Sequence, residues 1–197
     1  YVPSILIGVA LMIFQQFCGV NAILDTLTET MKNTGLELEP NLQSAFATSA
    51  QLISVLIATF NMDVIGRRKM WVFSACGIII SLILYIICLN IETVGWFQAT
   101  SLFLIMLSFG QGYGPIPWLI CHDLFPKSVR LDGQALITFA NMLSSFGVVY
   151  LFPIMNDAMD KYVTLIIYAC ITVLAIPFGL VFIPKKNQNR EENLTII

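Results

Sequence analysis

Gln15, Gln16 and Asn21 lie within two helical turns of each other in an otherwise apolar run, VPSILIGVALMIFQQFCGVNAIL. A carboxamide carries donors and acceptors on one group, so three together suit the hydroxyls of a neutral, hydroxyl-rich ligand. Deep in a membrane such groups are costly unless they meet partners or water. Hydrogen bonding between packed helices is the alternative use of any one of them. Gln51 and Asn141 add carboxamides near the middle of two other apolar runs. Trp118 supplies a broad flat face with one N–H donor. It directly follows a crowd of helix breakers, Gly112, Gly114, Pro115 and Pro117, inside a long apolar stretch. In water that crowd would end a helix. In hydrocarbon, broken backbone must face protein or a water-filled cavity. A helix broken at membrane depth beside an aromatic donor is a means of building a gated ligand site.

Other chemistry is excluded by spacing. His122 is the single histidine, flanked by Cys121 and Asp123. Successive helix residues point about 100° apart, so this trio cannot converge as nucleophile, base and orienter. No catalytic residue is expected, and the protein is not read as an enzyme. The five cysteines, Cys18, Cys76, Cys88, Cys121 and Cys170, show neither zinc spacing nor a disulfide framework. Neither a metal nor a cofactor is expected, and without a basic tract neither is nucleic acid.

The elements that position these residues follow from composition. The 197 residues are 57% hydrophobic and 11% charged, far from the quarter charged residues of a soluble domain. The chain reads as all-α and polytopic, with spans near 2–24, 43–61, 71–90, 98–121, 132–155 and 162–183, each long enough to cross a bilayer. The lipid bilayer is therefore a partner. Eight of the ten basic residues, Arg67, Arg68, Lys69, Lys127, Arg130, Lys185, Lys186 and Arg190, fall on one side, against Lys32 and Lys161 on the other. The positive-inside rule puts both ends of the chain in the cytoplasm, with 1–184 as the bundle and 185–197 as a tail. Tyr1 is no initiator, and the chain reads as a piece of something longer.

Polar stripes sort the spans. Ser44, Ala47, Gln51, Ser54, Ala58 and Asn61 line one face of the second, and Gln134, Thr138, Asn141 and Ser145 one face of the fifth. The third span is apolar nearly all round and is assigned to lipid contact; the sixth is apolar, with Pro177 expected to kink it. Between the second and third spans, Asp63 and the turn Gly66-Arg67-Arg68 place an acid close enough to pair with arginines. The sum is half of a pore-like or alternating-access device for a neutral polar solute.

Three segments resemble a known family. QQFCGVNAI (15–23), DVIGRRKM (63–70) and GPIPWLICHDLFPKSVR (114–130) are similar, in order and spacing, to the C-terminal six-helix half of sugar porters, glucose-transporter-like members of the major facilitator superfamily. The resemblance implies that a separate N-terminal six-helix half completes the site. It implies that Gln15, Gln16, Asn21 and Asn141 bond sugar hydroxyls and that Trp118 stacks on or caps the sugar; Gln51 joins them as a binding candidate from its own place on the second span. Asp63, Gly66, Arg67, Arg68, Asp123 and Arg130 would form a cytoplasmic cluster stabilising the outward-open state. The sequence also departs from the family. Asp25 and Thr26 stand where two tyrosines are usual, Gln51 for an asparagine, and Gly110 where many glucose facilitators carry a glutamate. The function implied is facilitated diffusion of a hexose or related sugar or polyol, in the plasma membrane. Proton-coupled symport and a non-transporting sugar sensor on the same fold are the alternatives.

Overall fold

The structure, a computed structural model, describes residues 2–32, 39–90 and 95–183. The expected tail 185–197 lies outside them. Among the described residues every regular element is helical. Helix α1 (Val2–Phe17) stops where Gly19 takes φ 78°, and the chain resumes as α2 (Val20–Asp25) and α3 (Leu27–Lys32). Only glycine holds that left-handed conformation cheaply.

Helix α4 (Pro40–Ile65) opens on a proline in its first turn, where the missing N–H costs nothing. It ends at Gly66, again with positive φ (90°), whose N–H returns to the Met62 carbonyl. The reversal leads at once into α5 (Arg67–Asn90). Helix α6 (Gly95–Ser108) runs into one π turn (Phe109–Tyr113) and then α7 (Pro115–Asp123). Helices α8 (Arg130–Ala158) and α9 (Lys161–Phe182) complete the order.

Among the described residues five stretches are long and apolar enough to cross a membrane: Val2–Asp25, Pro40–Ile65, Arg67–Leu89, Arg130–Ala158 and Lys161–Phe182. Helices α6 and α7 are each too short to cross alone and follow one another through the π turn. The expected break at Gly112, Gly114, Pro115 and Pro117 is therefore a widened turn and not an open loop. Gly114 remains right-handed and bonds back to the Phe109 carbonyl at 2.9 Å, a five-residue step. Pro115 then sits in the first turn of α7, where it lacks nothing.

Helix α5 corrects one expectation. Trp71, Ser74, Ile78, Leu82 and Tyr85 form a buried stripe against α6, α9 and the π turn, while Phe73, Ile80, Ile83, Leu84 and Ile87 are exposed. Lipid contact belongs to one face only. A sequence apolar all round has little periodicity to show which face is inside. Trp71 is fully buried, donates Nε1–H to the Ala175 carbonyl at 3.0 Å, and stacks on Tyr113 with ring centroids 4.2 Å apart. Gly179 makes room for it: a Cβ there would come within 2.2 Å of the indole.

Candidate functional site

Each carboxamide is delivered by a different constraint on the backbone. Gln15 and Gln16 occupy the last turn of α1, and the left-handed Gly19 turns Asn21 back towards them on α2. Gln51 sits midway along α4 and Asn141 midway along α8. Trp118 lies on α7, one turn beyond the π segment. These six residues line one cavity of about 400 Å³, together with Val55, Phe109, Gly114 and Pro115.

Inside it the carboxamides form a directional relay. Gln15 Nε2 donates to the carbonyls of Gly114 and Tyr113, the latter at 3.4 Å. Asn141 Nδ2 donates to Gln15 Oε1 at 2.9 Å, and Gln16 Nε2 to Asn141 Oδ1 at 3.1 Å. Asn21 Nδ2 donates to Gln16 Oε1. Backbone carbonyls only accept, so they fix the Gln15 amide as donor, and this choice orients every later member. The relay begins at Asn21.

Gln15, Gln16 and Asn141 are almost wholly buried, at 4%, 5% and 2% exposure. Burial without partners would cost about 1–3 kcal/mol per group; the relay and the π-turn carbonyls remove that penalty. Trp118, by contrast, is 41% exposed. The cavity thus has a rigid polar floor and an accessible aromatic wall.

Sequence reasoning missed Phe109, Val55 and Tyr113. Phe109 and Val55 are apolar wall residues that look like any others in an apolar run. Tyr113 is set in the helix break, with glycines on both sides, and it donates its OH to the Phe14 carbonyl at 3.1 Å, which ties the break to the turn bearing Gln15. Gly110 is not a cavity wall. A Cβ there would lie 2.7 Å from the Gln51 carbonyl and 2.8 Å from Ser54 Cβ, so the position is a close helix contact with α4.

At the opposite level, Arg67 Nη1 and Asp123 Oδ2 pair at 2.5 Å, linking α5 to the end of α7. Asp123 also faces His122 Nδ1 at 3.3 Å. Partial burial works against its charge, but the hydrogen bonds from Arg67 and His122 outweigh it and hold the carboxyl below the usual aspartate range. Arg130 does not meet Asp123 among the bonds formed here: its Nε donates to the Phe125 carbonyl at 3.3 Å and its Nη1 approaches His122 Nε2 at 3.5 Å. Gly66 provides the turn that brings Arg67 round, Arg68 follows it on α5, and Asp63 lies on the last turn of α4. Arg68 Nε is buried without a hydrogen-bond partner. Cys121 diverges from its neighbours, its Sγ 4.0 Å from the Gly8 carbonyl on α1.

Comparison with known proteins supplies the family. A family model described as "Sugar (and other) transporter" matches residues 1–194. A facilitated trehalose transporter from Bombyx mori is 30% identical over 98% of this chain and 40% of its own length. The glucose transporter GlcP of Staphylococcus epidermidis is 29% identical over 92% of this chain and 42% of its own. The proton:xylose symporter XylE, solved with 6-bromo-6-deoxy-D-glucose, superposes with a TM-score of 0.84 at 26% identity, over 96% of this chain and 42% of that one. The chain spans about two fifths of the length of these relatives.

Proposed function

Because the chain belongs to the sugar (and other) transporter family, and is an integral, multi-pass, all-helical membrane protein of the major facilitator fold, we propose that it moves a hexose or a related sugar or polyol by alternating access. It does so as one half of a transporter whose other six-helix half closes the cavity. The observation that carries this reading is the carboxamide relay lining a cavity beside Trp118. Gln15, Gln16, Asn21, Gln51 and Asn141 bond sugar hydroxyls, and Trp118 covers the apolar face of the ring. Residues 1–184 form the bundle and 185–197 a cytoplasmic tail. Both ends of the segment face the cytoplasm, and the membrane is the plasma membrane. The Arg67–Asp123 pair, with Asp63, Gly66, Arg68 and Arg130 around it, holds the cytoplasmic side closed.

Facilitated diffusion is favoured because this chain lines the cavity with carboxamide, aromatic and apolar groups. A second reading, proton-coupled symport, is supported by the likeness to XylE; its coupling acid would belong to the other half. The experiment is uptake of labelled glucose, xylose and trehalose by the full-length protein in proteoliposomes, with and without a proton gradient. Saturable uptake down the sugar gradient alone is expected. Uptake that requires the proton gradient replaces diffusion with symport. Binding without flux makes the protein a sensor, and neither binding nor flux for any of these sugars removes the proposal.

A further inference from the structure

Helix α5 has no residue in the cavity, yet one of its side chains is built into the wall. Ser108 and Tyr113 stand five residues apart, the step of the π turn. Ser74 reaches both. Its Oγ donates to the Ser108 carbonyl at 2.6 Å and accepts from the Tyr113 N–H at 2.8 Å. A hydroxyl can do both at once. Insertion of a side chain into the ladder is one of the few ways a helix is held off its regular pitch.

The seam is shaped to admit this hydroxyl. Gly77, one turn along α5, lets the helices close: a Cβ there would lie 2.7 Å from Ser108 Oγ. From the other side, a Cβ on Gly112 would lie 2.8 Å from the Met70 carbonyl. Ser74 is 1% exposed. Ser81, on the same helix, is the contrast; its hydroxyl only returns to the Gly77 carbonyl of its own helix, at 2.8 Å.

We propose that Ser74 is a positioning residue for the ligand site: by bridging Ser108 and Tyr113 it sets the pitch of the π turn and so places the carbonyls that orient Gln15. The effect reaches Gln15 through one residue, since Tyr113, whose N–H Ser74 holds, carries one of the two carbonyls on Gln15 Nε2 and precedes the other. The polarity of the whole relay then depends on a hydroxyl outside the cavity. That the ligand is a sugar rests on the transport reading above; the coupling of Ser74 to Gln15 does not.

Two measurements on the full-length protein separate these. The first is sugar-free melting of wild type, Ser74→Ala, Gln15→Ala and the double variant. Both single variants should melt lower, and the double should fall by less than their sum, because Gln15→Ala already discards the contact that Ser74 maintains. Additive shifts overturn the proposal. The second is equilibrium binding of glucose, xylose and trehalose. Ser74→Ala should weaken binding roughly tenfold, the loss of about one well-placed hydrogen bond. In the Gln15→Ala background it should change binding by no more than about twofold. A full loss in that background, or an equal loss in Ser81→Ala, overturns it. If wild type binds none of the sugars, the transport reading falls and the melting cycle alone decides Ser74. Should Ser74→Ala fail to accumulate, Ser74→Cys, with a weak donor and acceptor of similar size, enters the same cycle.

Discussion

Asn141 on α8 donates its amide to the oxygen of Gln15 on α1 at 2.9 Å, with Met12 Sδ close by at 3.3 Å. The last turn of α1 and the middle of α8 are thus joined by a bond whose direction is imposed from a third segment, the π turn. The same side chain accepts from Gln16, so Asn141 is the junction of the relay.

Asn141→Ala therefore strips partners from both glutamines. Sugar affinity should fall by about 1–3 kcal/mol, the cost of buried polar groups left unpaired. Gln15→Ala should cost a similar amount. Titration calorimetry on the full-length protein checks both, and unchanged affinity in the two variants would sink the assignment of these residues to the ligand.

Arg67→Glu should weaken the tie between α5 and α7 and shift the resting protein towards opening at that face. Restoring opposite charges with Arg67→Glu and Asp123→Arg together should bring the balance back part of the way. Labelling of cysteines placed at either mouth reads the shift. Equal labelling in wild type and Arg67→Glu would show that the pair closes nothing.

The same pair sets a pH window. Asp123 is held below its ordinary range, so its contribution is fully present above the unfolded carboxylate value and is lost only as pH falls through the lower folded one. Accessibility at the Arg67 face should stay flat from neutral pH through mild acid and rise only below about pH 4. In Asp123→Asn that acid step should vanish. A step of unchanged size in the variant would assign it to another group.

Gly179→Ala tests the packing behind the site. The new Cβ would stand 2.2 Å from two atoms of the Trp71 ring, which is held by Ala175 and stacked on Tyr113. Overpacking of this kind costs about 1–3 kcal/mol. The melting temperature should drop, and a neutral result would show that Trp71 can move aside freely.

The polar half of the site was legible because polarity is rare in these runs. Carboxamides and a glycine–proline crowd inside hydrocarbon-length sequence leave few uses, and Gln15, Gln16, Asn21, Gln51, Trp118 and Asn141 indeed surround one cavity. The inner face of α5 was not legible. Trp71, Ser74 and Tyr85 recur at helical spacing, but Phe73, Ile80 and Ile83 are as apolar as Ile78 and Leu82, so burial is decided by which neighbours come near. The π turn was hidden for a related reason. Gly112 and Pro115 mark a disturbance, but the widened turn is bonded to a hydroxyl from another helix, a contact that spacing along one helix cannot show. The pairing of Arg67 with Asp123 while Arg130 turns to Phe125 is likewise a choice among donors that spacing leaves open.

Gly19 joins two rigid pieces through one residue, and that makes it a fulcrum with unequal arms. On one side Gln16 stands within a turn of the pivot. On the other, α2 and α3 carry the chain as far as Lys32, up to roughly 20 Å away at 1.5 Å per residue. A rotation of about 15° at that single joint would displace the far tip by roughly 5 Å over such an arm, and Asn21, bonded to Gln16, would be displaced far less. The tip is caught by Lys161, whose Nζ lies 3.3 Å from Thr30 Oγ1. Val20, Ala22, Ile23, Leu27 and Met31 along this arm are all buried, so any turn about Gly19 must carry the neighbouring helices α4 and α8 with it.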